Sequence, residues 1–256
     1  MKAVLIDLDG VLYVGDEVVP GAVEAVGWLV EKHIPHLFLT NTTSRPVRAL
    51  VEKLQGMGIP VDGNDFLTPA LAARGWLESH VTGRAALLVP RVTWEDLPEP
   101  HESKDVPSAV VVGDLGQDWD YAKLNQAFQW LMAPTRPPLL ALGLTRYWRA
   151  SDGLRLDVGG MVKALEYAAG CEAVVLGKPS ADFFGVALAK LNAAAADTVM
   201  IGDDIVGDVG GAQQAGLHGV LVRTGKFSER DLAGEVRPDA VLDSIAELPA
   251  WWKQIA

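Results

Sequence analysis

Short apolar runs alternate along the chain with segments in which apolar residues recur every three or four positions. The first pattern fits a strand buried on both faces, and the second fits a helix with one buried side. Ala3 to Ile6 is the first strand candidate, and Val23, Val26, Leu29 and Val30 follow at helical spacing. His36 to Leu39 reads as a second strand ending at Thr40 and Asn41. The next helix has Ser44 to cap it, Pro46 in its first turn, and Val47, Leu50, Val51 and Leu54 as one apolar stripe. Gly56 and Gly58 stop it. The far end repeats this order: strand 173–176, helix 183–191, strand 198–201, helix 208–215 and strand 219–222. Ser244 and Glu247 have the spacing of a capping box, which predicts the start of the last helix. Strands alternating with helices predict an α/β fold around a parallel sheet.

The middle of the chain has a different texture. Residues 90–107 hold four prolines and many charges and read mostly as loop. Asn125, Phe128, Leu131 and Met132 suggest a helix, Pro134 to Pro138 break it, and Leu139 to Leu142 suggest a strand. This stretch is predicted to be a small inserted α/β domain, residues 71–175, leaving 1–70 and 176–256 as the principal domain.

Charge narrows the partners. The 33 acidic against 22 basic side chains, a net charge of −11, argue against nucleic acid, whose phosphates attract clustered Lys and Arg. A small phosphorylated ligand remains compatible, because one lysine or metal ion reverses a local field. The single cysteine, Cys171, excludes an internal disulfide and a Cys-based zinc site, and reads as a packing residue. No segment approaches the roughly 18 apolar residues of a membrane span, and no signal-peptide core is present. The expected setting is the cytoplasm, with no membrane partner.

Four polar clusters each sit just past a predicted strand, where open α/β sheets bind ligands. In Asp7-Leu8-Asp9-Gly10 the two carboxylates stand two residues apart, and an extended segment would aim both into one crevice. Thr40-Asn41 offers a hydroxyl and amides to phosphate oxygens. Gly177-Lys178-Pro179-Ser180 holds a lysine between a glycine and a rigid proline. In Gly202-Asp203-Asp204-Ile205-Val206-Gly207-Asp208, three carboxylates crowd a strand end and a helix start, and hard oxygen ligands of this kind suit Mg²⁺. Taken singly, the first three clusters also read as turns, caps or a surface lysine; a capping role accounts poorly for three aspartates in the fourth.

In this order and spacing the clusters resemble the four motifs of the haloacid dehalogenase superfamily of phosphotransferases. The inserted middle resembles the subclass with a large α/β cap between the second and third motifs (type IIA). The resemblance implies a Rossmann-like parallel-sheet catalytic core with an inserted α/β cap domain. Leu124 to Phe128, Arg146-Tyr147, Lys163 to Tyr167, Met200 to Gly216 and Val222 to Lys226 look like the group containing phospholysine phosphohistidine inorganic pyrophosphate phosphatase. One position departs: animal members of that group carry serine where this chain has Asp9.

The resemblance implies that Asp7 is a nucleophile forming an aspartyl-phosphate, and that Asp9 is the general acid and base. It implies Mg²⁺ held by Asp7, the Asp9 carbonyl and Asp203, with Asp208 and Asp204 in supporting positions. Thr40, Asn41 and Lys178 would bind the transferring phosphoryl group. Substrate choice would fall to the cap, in a stretch between about Arg146 and Gly160, where Tyr147 and Trp148 could stack on a ring and Arg146 or Arg149 could hold an anion. Ordinary cap core and surface is the competing account of those four. Relatives often dimerise through such a cap, so a homodimer is expected. A carbon–halogen hydrolase fits poorly, since it needs neither Asp9 nor Asp203. A binding or regulatory protein on the same scaffold would be expected to have lost one of Asp7, Asp9, Lys178 or Asp203, and all four are present.

Overall fold

The computed structural model describes residues 1–150 and 153–255, with the backbone alone for 148–150. Two compact units are present. The first comprises residues 1–40, 47–67 and 178–256, and the second 41–46 and 68–177.

In the first unit six parallel strands form one sheet. Their order is Ala240–Leu242, His218–Val222, Thr198–Gly202, Ala3–Asp7, His36–Leu39, Phe66–Leu67. Ala3–Asp7 lies near the centre and is buried throughout, which explains why its apolar run is unbroken rather than alternating. Ile6 stands opposite Ile201 on one side and Phe38 on the other, and Asp7 opposite Leu39. Phe38, Phe66, Phe183 and Phe184 are fully buried in the core. The next sheet strand in the chain lies to one side of Ala3–Asp7, and the last three lie to the other. Such a reversal opens a crevice at the carboxyl ends of the two strands that flank it, here Ala3–Asp7 and Thr198–Gly202. A short hairpin, Tyr13–Val14 with Glu17–Val18, follows the central strand.

The second unit carries its own parallel sheet, ordered Val174–Val175, Leu139–Ala141, Ala109–Val112, Ala85–Leu88. Helices Tyr121–Leu131 and Val158–Ala169 contribute Ala127, Leu131, Val162 and Leu165 to a core shared with Val110, Val112 and Leu139. Asp120 and Asp157 cap these helices by accepting backbone N–H groups, and the left-handed Gly170 ends the second. Cys171 packs against that core. Residues 90–107 are mostly irregular, with one 3₁₀ turn at Arg91–Asp96. An antiparallel pair, Tyr147–Ala150 with Gly153–Leu156, precedes the second helix.

Three helix starts differ from the sequence reading. Val47–Gly56 begins one residue after Pro46; proline disfavours helical geometry in Arg45 before it, so the helix does not reach back to Ser44, three positions upstream. The segment expected to start at Asp208 begins at Ile205, as a wide π-type turn running to Gly210 ahead of the helix Gly211–Gln214. Ser244 caps a 3₁₀ turn, Ile245–Glu247, before the helix Leu248–Ile255. Among the described residues no helix is long and apolar enough to cross a membrane.

Candidate active site

Three acidic side chains and one lysine meet at the crevice of the first unit. Asp7 closes the central strand, and Asp203 follows the last residue of its neighbour. Asp208 sits inside the π-type turn, whose start is fixed by Asp204: its Oδ1 accepts the N–H groups of Val206 at 3.0 Å and Gly207 at 2.8 Å. Lys178 precedes Pro179, which lies flush on Gly211; a Cβ at Gly211 would come within 2.7 Å of the proline. A Cβ at Gly202 would stand 2.2 Å from the Asp208 side chain. The glycines around these carboxylates therefore make room for them.

The Lys178 ammonium lies 2.5 Å from Asp7 Oδ1 and 2.7 Å from Asp208 Oδ1, with the Leu39 carbonyl at 3.5 Å. Asp7, Asp203 and Asp208 each present a carboxylate oxygen within 4.8 Å of the others. Asp203 Oδ2 accepts the Lys226 N–H at 2.7 Å, whereas Asp203 Oδ1 is buried with no hydrogen-bond partner. Gly10 and Gly225, both at positive φ, press on this carboxylate: a Cβ on either would lie 2.0 or 2.1 Å from Oδ2. The Thr224 hydroxyl donates to the Gly10 carbonyl at 2.5 Å, tying the two loops together.

Three carboxylates against one ammonium leave two negative charges in a pit where Asp203 and Asp208 are each 1% exposed. Burial is the main cause that pushes Asp203 up to about 6 and Asp208 up to about 6. Burial also raises Asp7, although Lys178 pulls the other way. Burial pulls Lys178 down, but Asp208 and then Asp7 outweigh it and hold the ammonium charged. An all-oxygen donor set, a surplus of two negative charges and an orphaned Asp203 oxygen fit a hard divalent cation.

The other expected residues fall in different places. The strand stops at Asp7, so the two-residue alternation does not extend to Asp9, which is exposed in the following turn and outside the carboxylate group. Thr40 is buried directly after Leu39, whose carbonyl contacts Lys178, while Asn41 belongs to the second unit. Asp204 serves as a cap, with its second oxygen 3.6 Å from the Lys226 ammonium. The residues between Arg146 and Gly160 include the antiparallel pair; Arg146, Tyr147, Leu154 and Leu156 border a cavity of about 720 Å³ with Lys163. The side chains of Trp148 and Arg149 lie outside the described residues. Sequence reasoning missed the Lys178–Asp208 pair and the support of Asp203 by residues 224–226. The available signal for the second was the Thr224-Gly225-Lys226 run just past a strand.

The haloacid dehalogenase-like hydrolase family matches residues 4–97, and the related HAD-hydrolase-like family matches residues 175–248. The phospholysine phosphohistidine inorganic pyrophosphate phosphatase of Rattus norvegicus is 42% identical over 252 residues, covering 96% of this chain and 92% of that protein. Haloacid dehalogenase-like hydrolase domain-containing protein 2 of Bos taurus is 41% identical, covering 90% of this chain and 87% of that protein. Among solved structures, a p-nitrophenyl phosphatase from Archaeoglobus fulgidus superposes with a TM-score of 0.90 at 26% identity, covering 98% of both chains. The chain belongs to the haloacid dehalogenase-like hydrolases, and within them to the phosphatases. Its architecture is that family's α/β core with an inserted cap.

Proposed function

We propose that the chain is a Mg²⁺-dependent phosphatase that hydrolyses a small phosphorylated substrate through an aspartyl-phosphate on Asp7. The observation that carries this reading is the buried surplus of two negative charges, with the orphaned Asp203 Oδ1 beside a lysine-bound Asp7. Asp7, Asp203 and Asp208, with the Asp9 carbonyl as a fourth candidate, would hold the ion. When bound, Mg²⁺ supplies positive charge that lets an anionic nucleophile approach an anionic phosphoryl group.

The chain's own residues do the rest. An Asp7 oxygen attacks phosphorus, the bond to the leaving group breaks, and Asp9 donates a proton to the departing atom. Asp9 then takes a proton from water, which attacks the aspartyl-phosphate, releases inorganic phosphate and restores Asp7. Lys178 keeps Asp7 aligned and offsets charge on the phosphoryl oxygens, while Thr40 and Asn41 bind those oxygens. The substrate is a phosphate ester, a phosphoramidate or a pyrophosphate. The rat relative's name makes phospholysine, phosphohistidine and pyrophosphate natural members of a test panel.

The test is phosphate release from p-nitrophenyl phosphate and that panel, with Mg²⁺ and with excess chelator. Release that needs the metal and vanishes in Asp7→Asn supports the proposal. Metal-independent release, or release that survives in Asp7→Asn, overturns it.

A further inference from the structure

Asp9 has no side-chain hydrogen bond or ion pair among the described residues, so only its backbone aims it. That backbone is closed by Tyr13: the Gly10 N–H donates to the Tyr13 carbonyl at 2.7 Å, and residues 9 and 13 form an isolated bridge. Tyr13 in turn begins a hairpin of two residues per strand, pairing only Tyr13 with Val18 and Val14 with Glu17. So small a hairpin cannot hold its own position in water.

We infer that Lys53 is a positioning residue for Asp9, acting through Tyr13 and this hairpin; the inference rests on the acid and base role proposed above for Asp9. Lys53 lies in the last turn of the helix Val47–Gly56. Its ammonium stands 3.8 Å from the centre of the Tyr13 ring and donates to the Gly15 carbonyl at 2.7 Å, with an Asp16 oxygen at 3.8 Å. The side chain is only 17% exposed, well below what a free surface lysine shows. One cation therefore grips both the first residue of the hairpin and its turn, and anchors them to a helix of the core. A cation over an aromatic face is strongest when water is excluded, as it largely is here, with Tyr13 5% exposed. A loosened hairpin would leave Asp9 present but poorly aimed, and proton transfer depends on aim.

Leaving-group dependence tests this. An alkyl phosphate needs its leaving oxygen protonated, whereas p-nitrophenolate departs readily without a proton. Lys53→Met keeps the apolar stem and removes the charge. It is expected to lower kcat/KM for an alkyl phosphate at least tenfold more than kcat/KM for p-nitrophenyl phosphate, with Lys53→Arg restoring most of the difference. Tyr13→Leu should reproduce the pattern and serves if Lys53→Met does not fold. Asp9→Asn, run alongside, should show the same selectivity more strongly. If Asp9→Asn is selective while folded Lys53→Met and Tyr13→Leu lower both substrates equally or neither, the role of Lys53 is overturned and that of Asp9 stands. If Asp9→Asn shows no selectivity, the acid role fails and takes this inference with it.

Discussion

The first unit holds a lysine among carboxylates at each end of its sheet, and the two groups behave oppositely. At the carboxyl ends of the strands, Lys178 is held charged by Asp208 and Asp7, while the carboxylates around it are pushed up by burial. At the amino ends, Lys190 donates to the Phe66 carbonyl at 2.9 Å and borders a cavity of about 700 Å³ with Asp62 and Asp65. There burial lowers the lysine and the two aspartates only partly offset it. Those aspartates already have donors: Asp62 accepts the Asn64 N–H at 2.7 Å, and Asp65 accepts the Asp62 N–H at 2.8 Å. Residue types are alike. What differs is burial: Asp203 and Asp208 are buried and Asp203 Oδ1 has no partner, whereas Asp62 is exposed and Asp65 half-buried. Water answers the charge of the second pair, and only the buried group leaves one for a ligand.

The comparison is broken most severely by removing the cation at the carboxyl end. Lys178→Ala leaves two buried carboxylates without their ammonium and should cut kcat by on the order of 10²–10³-fold, read by steady-state phosphate release. Retention of full activity would remove Lys178 from the mechanism. Gly225→Ala attacks the same end through sterics, since its φ of +64° and the Asp203 oxygen 2.1 Å from its Cβ allow no side chain without movement. It should destabilise the protein by about 1–3 kcal/mol. The Mg²⁺ concentration for half-maximal activity should also rise severalfold in a titration.

A third test uses pH. Asp203 is raised from an ordinary carboxylate value of 3.8 to about 6, so between those values the folded metal-free protein holds a proton that the unfolded chain has released. Stability from this group is therefore present at low pH and lost as pH rises through about 6. Asp203→Asn should stabilise the metal-free protein at pH 7.5 by up to about 3 kcal/mol in urea denaturation, with little gain near pH 4. Saturating Mg²⁺ should favour the wild type instead. The smallest effect belongs to the other end of the sheet. Lys190→Met should leave kcat within about twofold and shift stability by less than about 1 kcal/mol, since it removes one half-buried hydrogen bond. A large loss of activity there would collapse the contrast.

Local pattern was enough for the strands Ala3–Asp7, His36–Leu39, Thr198–Gly202 and His218–Val222, because parallel strands buried on both faces are written as unbroken apolar runs. It was enough, too, for placing Asp7 and Asp203 at strand ends, whereas the strand expected before Lys178 stops at Val175. It failed where tertiary contacts decide. The π-type turn at Ile205 is set by the capping bonds of Asp204, and Asp208 faces inward to a lysine 30 positions back in the chain. The paired strands Tyr147–Ala150 and Gly153–Leu156 carry exposed Tyr147, Leu154 and Leu156, so no clean alternation of inside and outside marked them. The support of Asp203 from Lys226 is a backbone bond, so the lysine side chain gave no sign of it and only the neighbouring glycine just past a strand did.

The strand order also has a consequence for how the protein is made. Ala3–Asp7 leaves the ribosome before the other strands of its sheet, but one of its two neighbours is Thr198–Gly202, with Ala3 paired to Thr198. All four strands of the second unit's sheet lie between those partners in the chain. Vectorial synthesis therefore delivers the complete inserted sheet while the central strand of the catalytic sheet still lacks a side. Domains fold as units as they emerge, and unpaired strand edges invite aggregation. The nascent chain carries the central strand of this sheet half-paired through most of translation, which makes that interval the one in which a chaperone would have the most to protect.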